Sequence, residues 1–360
     1  MTKSLLYSCL YEWYARNHRD LPWRETEDGY RIWLSEIILQ QTRVAQGMDY
    51  YLRFVSRWPD VKSLASANED EVLREWQGLG YYNRARNLHK AAQMVVERGW
   101  APFPVRYEDI RMLPGVGDYT AGAISSFAYN QPYPAMDGNV YRVIARLLDI
   151  DEAFDTTKGK KLFQQQISLL LDKENPRLFN TAIMEFGALY CTPVLGDACQ
   201  QCPLQAICAA YAHGTAELLP IRKPRPKVRD RWFIYHIYIA RANGELVTLI
   251  RQRTGKDIWY HLYEFPCEET DSHINEAGVR AQAVTDAKPV SEMKTVFACT
   301  HVLSHQRLHA QFVVHQVNIL PAIENTICIP WQDLDQYALS RLTLRSLEHL
   351  HLTSPSTAKR

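Results

Sequence analysis

The apolar residues of this sequence change their period once, across a short stretch rich in proline and basic residues. Before residue 219 they recur every three or four positions, as over 72–79, which predicts helices. After residue 230, aromatic and β-branched runs flank turn signals such as Asn243-Gly244, which predicts strands and a hairpin. The prolines of 219–230 favour an extended connector. The chain therefore divides into a helical part and an α+β part.

Composition is that of a globular protein. The 360 residues are 46% apolar and 22% charged, which excludes wholesale disorder, and no apolar run is long enough to cross a membrane. The apolar stretch 5–14 contains Glu12 and lacks a small-residue cleavage site, so we expect a folded helix in a cytoplasmic protein, nucleoid-associated if bacterial. A net charge of +1 excludes a uniformly basic surface but allows a local basic face.

Four of the eight cysteines lie close together in the sequence. In a cytosolic protein such a group indicates a metal site before it indicates disulfides. A single Cys-x2-Cys pair with longer outer gaps favours an iron–sulfur cubane over zinc, and four unrelated thiols are the third interpretation. The spacing Cys-x7-Cys-x2-Cys-x5-Cys is formed by Cys191, Cys199, Cys202 and Cys208.

Two carboxyl groups are distinguished by their surroundings. Glu36 has apolar residues one helical turn away on both sides, so desolvation should raise its pKa and make it a proton donor. A helix charge paired with a basic partner is the alternative. Asp137 precedes an apolar helix and is a predicted N-cap, a position that favours the ionised form. One neutral and one charged carboxyl group suit glycoside cleavage through an oxocarbenium-like transition state.

A glycine-rich turn lies between two predicted helices, in Leu113-Pro-Gly-Val-Gly-Asp-Tyr-Thr120. Backbone N–H groups at the start of the second helix can hold a phosphate. A purely structural helix–turn–helix connection is an equally good interpretation. The segment is not a P-loop, since no Gly-Lys-Ser/Thr follows it, and the lack of a preceding strand disfavours a dinucleotide fold.

Together these segments resemble a known family. The glycine-rich turn followed by Asp137 resembles the helix–hairpin–helix Gly/Pro–Asp superfamily of DNA glycosylases. The resemblance to the adenine DNA glycosylase (MutY) family covers most of residues 5–210 and continues more weakly beyond them. It is carried by Trp33-Leu-Ser-Glu-Ile-Ile-Leu-Gln-Gln-Thr42, Gly78-Leu-Gly-Tyr-Tyr82, Arg84-Ala-Arg-Asn-Leu-His-Lys90 and Met136-Asp-Gly-Asn-Val140.

This resemblance implies a monofunctional glycosylase that removes adenine paired with 8-oxoguanine or guanine from duplex DNA. Glu36 would protonate the flipped adenine at N7, and Asp137 would stabilise the sugar cation or bond transiently to C1′. Tyr119 and Asn139 match positions that support these carboxyl groups. Tyr119 also stands where the endonuclease III relatives carry a nucleophilic lysine, so strand scission is not expected.

The resemblance also implies residues that contact substrate and DNA. Core packing is the alternative for Trp23 and Tyr81, and a solvated face is the alternative for Lys158–Lys161, which with the connector could also follow phosphates. The implied contacts are Trp23 and Arg24 at the adenine pocket, Gln41 and Tyr81 in the base stack, Arg84 and Arg86 along phosphates, Gly115 and Gly117 in the hairpin, and Ser304 and His305 at 8-oxoguanine.

The cysteines match the family's 4Fe–4S site with one departure. The first gap holds one residue more than the expected x6, within the turn-like stretch 192–198. In the C-terminal part, 259–266 resembles the family's Nudix-like domain, but no Nudix box that could bind magnesium is present in the sequence, so pyrophosphate hydrolysis is not expected. The segment 301–305 resembles the 8-oxoguanine loop, with Leu303 where Phe is usual; surface histidines without a role are the alternative.

The predicted fold is multidomain, α and α+β. An all-helical helix–hairpin–helix glycosylase domain with an iron–sulfur module is followed by a Nudix-like α+β domain. We expect a monomer that binds double-stranded DNA and no membrane. Alternatives are a pyrimidine or thymine mismatch glycosylase on the same scaffold, which the C-terminal domain argues against, and a non-catalytic iron–sulfur DNA-binding protein. The predicted divisions are 1–218 for the glycosylase domain (barrel about 28–133; iron–sulfur module 1–27 and 134–212), 219–230 for the connector, 231–351 for the Nudix-like domain and 352–360 for a tail.

Overall fold

The computed structural model describes residues 3–224, 228–255, 257–270, 294–303 and 305–349. Contacts divide the chain into two units. Unit 1 comprises Met1–Ala67 and Asn87–Pro224, and unit 2 comprises Asn68–Arg86 and Arg225–Arg360. From the sequence, 68–86 are expected in the helical domain, whereas the contacts group this segment with the C-terminal part. The other predicted boundaries stay predictions.

Helices account for the regular structure of residues 3–224, as the apolar period predicts. Three 3-10 helices, Gly196–Gln201, Gln205–Ile207 and Ala216–Leu218, lie near the last α-helix of this part. In order, the α-helices are α1 (Lys3–Asn17), α2 (Gly29–Leu39), α3 (Val44–Arg57), α4 (Val61–Ala65), α5 (Glu69–Glu75, in unit 2), α6 (Asn83–Glu97, shared between the units), α7 (Tyr107–Arg111), α8 (Asp118–Tyr129), α9 (Gly138–Leu147), α10 (Thr157–Leu170), α11 (Pro176–Leu189) and α12 (Ala209–His213).

The predicted glycine-rich turn is confirmed as a helix–hairpin–helix, with α7 before it and α8 after it. Gly115 has a φ of 80°, a left-handed conformation that glycine adopts without steric cost. Helix α8 packs against α2 and α7. The hairpin therefore fixes the start of α8, and with it Tyr119, which lies in the first turn of that helix.

A second group of helices, α1, α9, α10 and α11, shares one apolar core that includes Leu10, Ile144, Phe163 and Phe179. The four cysteines at 191–208 pack against this core as partly buried residues. Since α9 begins at the residue after Asp137, the same core that supports the cysteines also fixes the position of that carboxyl group.

Unit 2 contains a mixed sheet and α13 (Arg341–His349). This helix lies within the segment 336–350, where a helix is predicted, and is shorter than that segment. Within the described ranges the strand order is β3-β2-β1-β6-β5, with β4 paired to β1 and β7 to β2; β1 and β6 run parallel. The predicted β1–β2 hairpin is confirmed, since Asn243 and Gly244 have φ values of 50° and 84°. The strands are β1 (Arg229–Ala242), β2 (Glu245–Gln252), β3 (Tyr263–Glu264), β4 (Cys267–Thr270), β5 (Lys294–Val302), β6 (Gln306–Gln316) and β7 (Ile327–Pro330).

The predicted core side of β6 is confirmed, but the strand is not half-buried, because residues 310–314 are all buried. Leu308, Ala310 and Phe312 are buried in the core of unit 2, and Phe312 stacks on Tyr235 of the parallel strand β1 with ring centroids 4.8 Å apart. Among the described helices, none has the length and apolar character that crossing a membrane requires.

The approach of α8 to the segment before α9 can be tested at Gly122. A Cβ atom there would lie 2.3 Å from the backbone oxygen of Pro134. That oxygen cannot move without displacing the backbone segment that leads to Asp137. We expect Gly122→Ala to lower the free energy of unfolding by about 2 kcal/mol or more, measured by denaturant titration.

Gly138→Ala is the matched control, since a Cβ at this helical position meets no atom within 4 Å. It should leave stability unchanged or raise it by up to about 1 kcal/mol. Equal losses in both variants would contradict the close approach at Gly122.

Candidate active site

Glu36 lies on α2 with only 3% of its surface exposed, so the predicted desolvation is confirmed. The Tyr119 hydroxyl donates to Glu36 Oε2 at 2.6 Å, and Arg24 Nη1 lies 3.6 Å from Oε1. Burial raises the pKa of Glu36, while Arg24 and Tyr119 act in the opposite direction and the charge of Asp137 raises it further. The environment therefore favours a carboxyl group that holds its proton at higher pH than an exposed glutamate.

Asp137 is the N-cap of α9, as predicted. Its Oδ1 accepts from the backbone N–H of Val140 at 2.8 Å, and its Oδ2 accepts from Asn139 Nδ2 at 2.8 Å. The expectation that the helix start alone keeps this group ionised needs a correction, because burial raises the pKa of Asp137. The hydrogen bonds from Val140 and Asn139 oppose that rise and stabilise the charged form.

Tyr119 is affected by both carboxyl groups, although it forms a hydrogen bond with Glu36 alone. Burial raises the pKa of its hydroxyl well above the usual value, and the charges of Glu36 and Asp137 add to the rise. The charge of Asp137 also raises the pKa of Glu36, so the two carboxyl groups lose their protons in coupled steps. Between those steps the site holds one protonated and one ionised carboxyl group, which is the arrangement that acid-assisted glycoside cleavage uses.

Two arginines of α9 extend this network and were not predicted. Arg142 Nη2 donates to Asn139 Oδ1 at 2.9 Å, and Arg142 Nε donates to the Cys191 carbonyl at 2.7 Å. Arg146 Nη1 donates to the Cys191 sulfur at 3.3 Å. Both arginines are buried. The signal in the sequence was two basic residues, four apart, on a helix whose other members are largely apolar.

The four predicted cysteine ligands line one pocket together with Arg146. No group of three or more His, Cys, Asp or Glu among the described residues is suited to a single metal ion. Burial raises the pKa of the Cys202 thiol to about 12, and burial also raises the pKa values of Cys199 and Cys208. Four soft sulfur donors that line one pocket are the donor type that iron–sulfur clusters use.

Two predicted DNA contacts share an unusual backbone. Gln41 and Tyr81 are exposed, with φ values of 57° and 48°, a left-handed conformation that is uncommon for residues other than glycine. Such conformations concentrate at functional sites, where the surrounding structure holds them. The core-packing alternative for Tyr81 does not fit its 48% exposure.

Other predicted contacts have different surroundings. Trp23 is 1% exposed and packs edge-on against Tyr51, as its core-packing alternative expected. Arg84 and Arg86 are buried, whereas a phosphate contact would be exposed. Arg84 donates to the carbonyls of Leu79 and Gly80 at 3.3 and 3.2 Å.

The predicted lesion-recognition residues lie at the β5–β6 connection. His305 is exposed there, and the backbone N–H of Leu303 donates to the Gln306 carbonyl at 2.8 Å. Ser304 lies outside the described residues. Lys158 is exposed and ion-paired with Glu152, which suits the solvated-face alternative for its basic run.

Both parts of the chain match known protein families. Residues 34–169 match the HhH-GPD superfamily base excision DNA repair protein family, and residues 235–349 match the NUDIX domain family. An adenine DNA glycosylase of Buchnera aphidicola subsp. Schizaphis graminum is 32% identical over 329 residues, which covers 91% of this chain and 92% of that protein. Another adenine DNA glycosylase, of Buchnera aphidicola subsp. Acyrthosiphon pisum, is 35% identical, and the match covers 74% of this chain and 75% of that protein. The adenine DNA glycosylase of Mus musculus is 40% identical over 62% of this chain and 45% of its own length.

Solved structures resemble the helical part. A thermostable thymine-DNA glycosylase is 26% identical with a TM-score of 0.53, and the match covers 59% of this chain and 97% of that one. An endonuclease III in a non-covalent complex with DNA is 21% identical, with a TM-score of 0.50 over 59% of this chain and 98% of that one, which supports the fold alone.

The burial of Glu36 makes a prediction about stability. A group whose pKa is raised by folding contributes its full stability below its unfolded pKa and loses it as pH rises through the folded pKa. Glu36→Gln cannot ionise, so the melting temperature of the variant minus that of wild type should become more positive between about pH 5 and about pH 8, by a few degrees. Differential scanning calorimetry measures this difference, and a pH-independent difference would contradict the raised pKa.

Proposed function

This chain belongs to the adenine DNA glycosylase family of base excision repair enzymes, and on that premise we propose that its substrate is adenine paired with 8-oxoguanine or guanine in duplex DNA. The observation that carries the proposal is the pair of carboxyl groups around Tyr119: the hydroxyl donates to buried Glu36, and the charge of Asp137, which caps α9, acts on the same hydroxyl. An extruded nucleotide placed between them would meet a proton donor and an anion at the same time.

The reaction follows from these two groups. Glu36 gives its proton to N7 of adenine, so the base leaves as a neutral molecule when the C1′–N9 bond breaks. The electron pair of that bond goes to the base, and the positive charge that develops on the sugar is stabilised by ionised Asp137. Water then adds to C1′ and loses a proton. Tyr119 and Asn139 hold the two carboxyl groups in place through 2.6 and 2.8 Å hydrogen bonds.

Arg24 supports recognition of a polar base. Its buried Nη1 forms an ion pair with Glu36 Oε1 at 3.6 Å but no hydrogen bond, and its guanidinium lies 3.9 Å from the centre of the Phe127 ring. A buried donor that lacks a hydrogen bond is costly unless a ligand satisfies it. A ring nitrogen of the extruded purine is a suitable acceptor.

The enzyme we propose leaves the DNA strand intact. Tyr119 occupies the position that resembles the lysine nucleophile of strand-cleaving relatives, and a hydroxyl in contact with Glu36 cannot form a Schiff base. Borohydride should therefore trap no covalent adduct, and efficient trapping by the wild-type protein would contradict this assignment.

Gln41 and Tyr81 are the residues we propose to enter the base stack. Both side chains are exposed on strained backbone, which presents them to a partner outside the chain. Ser304 and His305, at the β5–β6 connection, are proposed to contact the base opposite adenine. Filling the stack compensates the few kcal/mol that extrusion of a base costs.

Cys191, Cys199, Cys202 and Cys208 are proposed to hold one 4Fe–4S cluster. The cluster would fasten the 191–208 segment as a structural cross-link. Two arginines of α9 donate to Cys191, one to its carbonyl and one to its sulfur. Since Arg142 also donates to Asn139, these arginines connect the cysteine segment to Asn139.

The acid role is tested by base release in single-turnover assays. Glu36→Gln should slow release of adenine opposite 8-oxoguanine by about a hundredfold or more while the variant still binds the duplex. Glu97→Gln, an exposed glutamate on α6, is the matched control and should cleave like wild type. Release by Glu36→Gln at the wild-type rate would refute the assignment.

Substrate choice is tested with the same assay on other duplexes. Adenine opposite 8-oxoguanine or guanine should be released, whereas thymine opposite guanine should not. Preferential release of thymine would favour the activity named for the thymine-DNA glycosylase relative.

The cofactor is tested by iron analysis and visible absorption of purified protein. Cys202→Ser should lose iron and the broad absorption of the cluster. Cys9→Ser, a partly buried cysteine outside the proposed set, should keep both. Zinc without iron in the wild-type protein would contradict the cluster.

A further inference from the structure

Tyr81 lies in a turn that is braced from within its own segment. Trp76 Nε1 donates to the Gly80 carbonyl at 3.0 Å, and Arg84 donates to the carbonyls of Leu79 and Gly80. The Tyr81 side chain remains 48% exposed on left-handed backbone. A conformation of this kind is costly, so contacts elsewhere must maintain it.

The same turn is held by the C-terminal part of unit 2. The backbone N–H of Leu339 donates to Gln77 Oε1 at 3.4 Å, and the Tyr82 hydroxyl donates to the Leu339 carbonyl at 3.4 Å. Leu339 is itself buried and forms a bridge with Tyr263 of β3. These contacts join residues more than 250 positions apart in the sequence and belong to one compact unit.

A loop at 257–262 adds a second set of contacts. His261 Nδ1 lies 2.7 Å from Glu69 Oε1 at the start of α5. Arg86, which is buried, donates to the Tyr260 carbonyl and places its guanidinium 5.2 Å from the Tyr260 ring. His261 has a φ of 67°, so this loop also uses strained backbone to reach Glu69.

The loop is fastened to the sheet on its other side. Arg253, the residue that follows β2, donates to the Ile258 carbonyl at 3.1 Å. Arg231 of β1 binds Asp257 at 2.7 Å and Glu269 of β4 at 2.6 Å. Because Arg231 is buried and both its partners are carboxylates, this end of the loop is fixed by charge-assisted hydrogen bonds.

We propose that the 257–262 loop and Leu339 hold Tyr81 in the conformation that enters the base stack, and that His261 is a positioning residue for it. The inference rests on the proposed function, which gives Tyr81 its place in the stack. It assigns to the C-terminal part of the chain a role besides contact with the base opposite adenine: it sets the geometry of the residue that opens the stack.

A double-mutant cycle between His261 and Tyr81 tests this coupling. His261→Gly removes the contact with Glu69, and glycine tolerates the φ of 67° without strain. In the full chain it should weaken binding to a lesion duplex, one with adenine opposite 8-oxoguanine, by about five- to tenfold, with little change for an undamaged duplex. In a Tyr81→Ala background the same substitution should have no further effect.

The controls separate loop geometry from general destabilisation. Asn325→Gly replaces another left-handed residue of unit 2, with a φ of 59°, and should leave lesion binding unchanged. Glu69→Ala removes the same contact from the other side and should reproduce the effect of His261→Gly. A 2-aminopurine next to the lesion reports unstacking, and its fluorescence on binding should fall in both variants while the melting temperature changes little.

Each outcome decides a different claim. If His261→Gly weakens binding equally with and without Tyr81, or has no effect in wild type, the coupling is refuted and the proposed function stands. If Tyr81→Ala itself leaves lesion binding and 2-aminopurine fluorescence unchanged, the place of Tyr81 in the base stack is refuted, and this inference with it.

Discussion

The free energy of placing a carboxyl group in an apolar environment is the constraint on which this site depends. Glu36 is surrounded by the apolar residues of α2, and its few polar contacts, a tyrosine hydroxyl and a distant guanidinium, compensate only part of the lost hydration. A carboxyl group that is stable when neutral is also one that can deliver a proton near neutral pH. The same burial that is expected to make the fold less stable at high pH therefore suits Glu36 to the proton-donor role proposed for it.

Helix α9 distributes the remaining parts of the site. Asp137 caps its start, Asn139 lies in its first turn, and Arg142 and Arg146 point to the Cys191 segment. Since these groups share one rigid helix, a displacement of the cysteine segment acts on the same element that presents the carboxylate. The site is thus assembled from three elements: the hairpin that starts α8, the largely buried helix α2, and the start of α9 that Asp137 caps.

Much of this arrangement was predictable because it follows from local patterns. The cap at Asp137, the hairpin glycines and the apolar surroundings of Glu36 are all visible within a few residues of sequence. The burial of Arg86, and the grouping of residues 68–86 with the C-terminal part, were not, because they depend on partners far away in the chain. Likewise, the opposing effects on the pKa of Asp137 depend on the depth of burial, which periodicity does not provide.

Unit 2 is built from two segments that are far apart in the sequence, and this affects how the unit forms during synthesis on the ribosome. Residues 68–86 leave the ribosome at least 139 residues before residue 225, the start of the other half of their unit. At roughly 5–20 residues per second, this delay is on the order of 7–28 seconds. During that time Glu69, Gln77 and Tyr82 lack their contacts with His261 and Leu339. Synthesis thus produces an interval in which this segment is a target for chaperones or proteases.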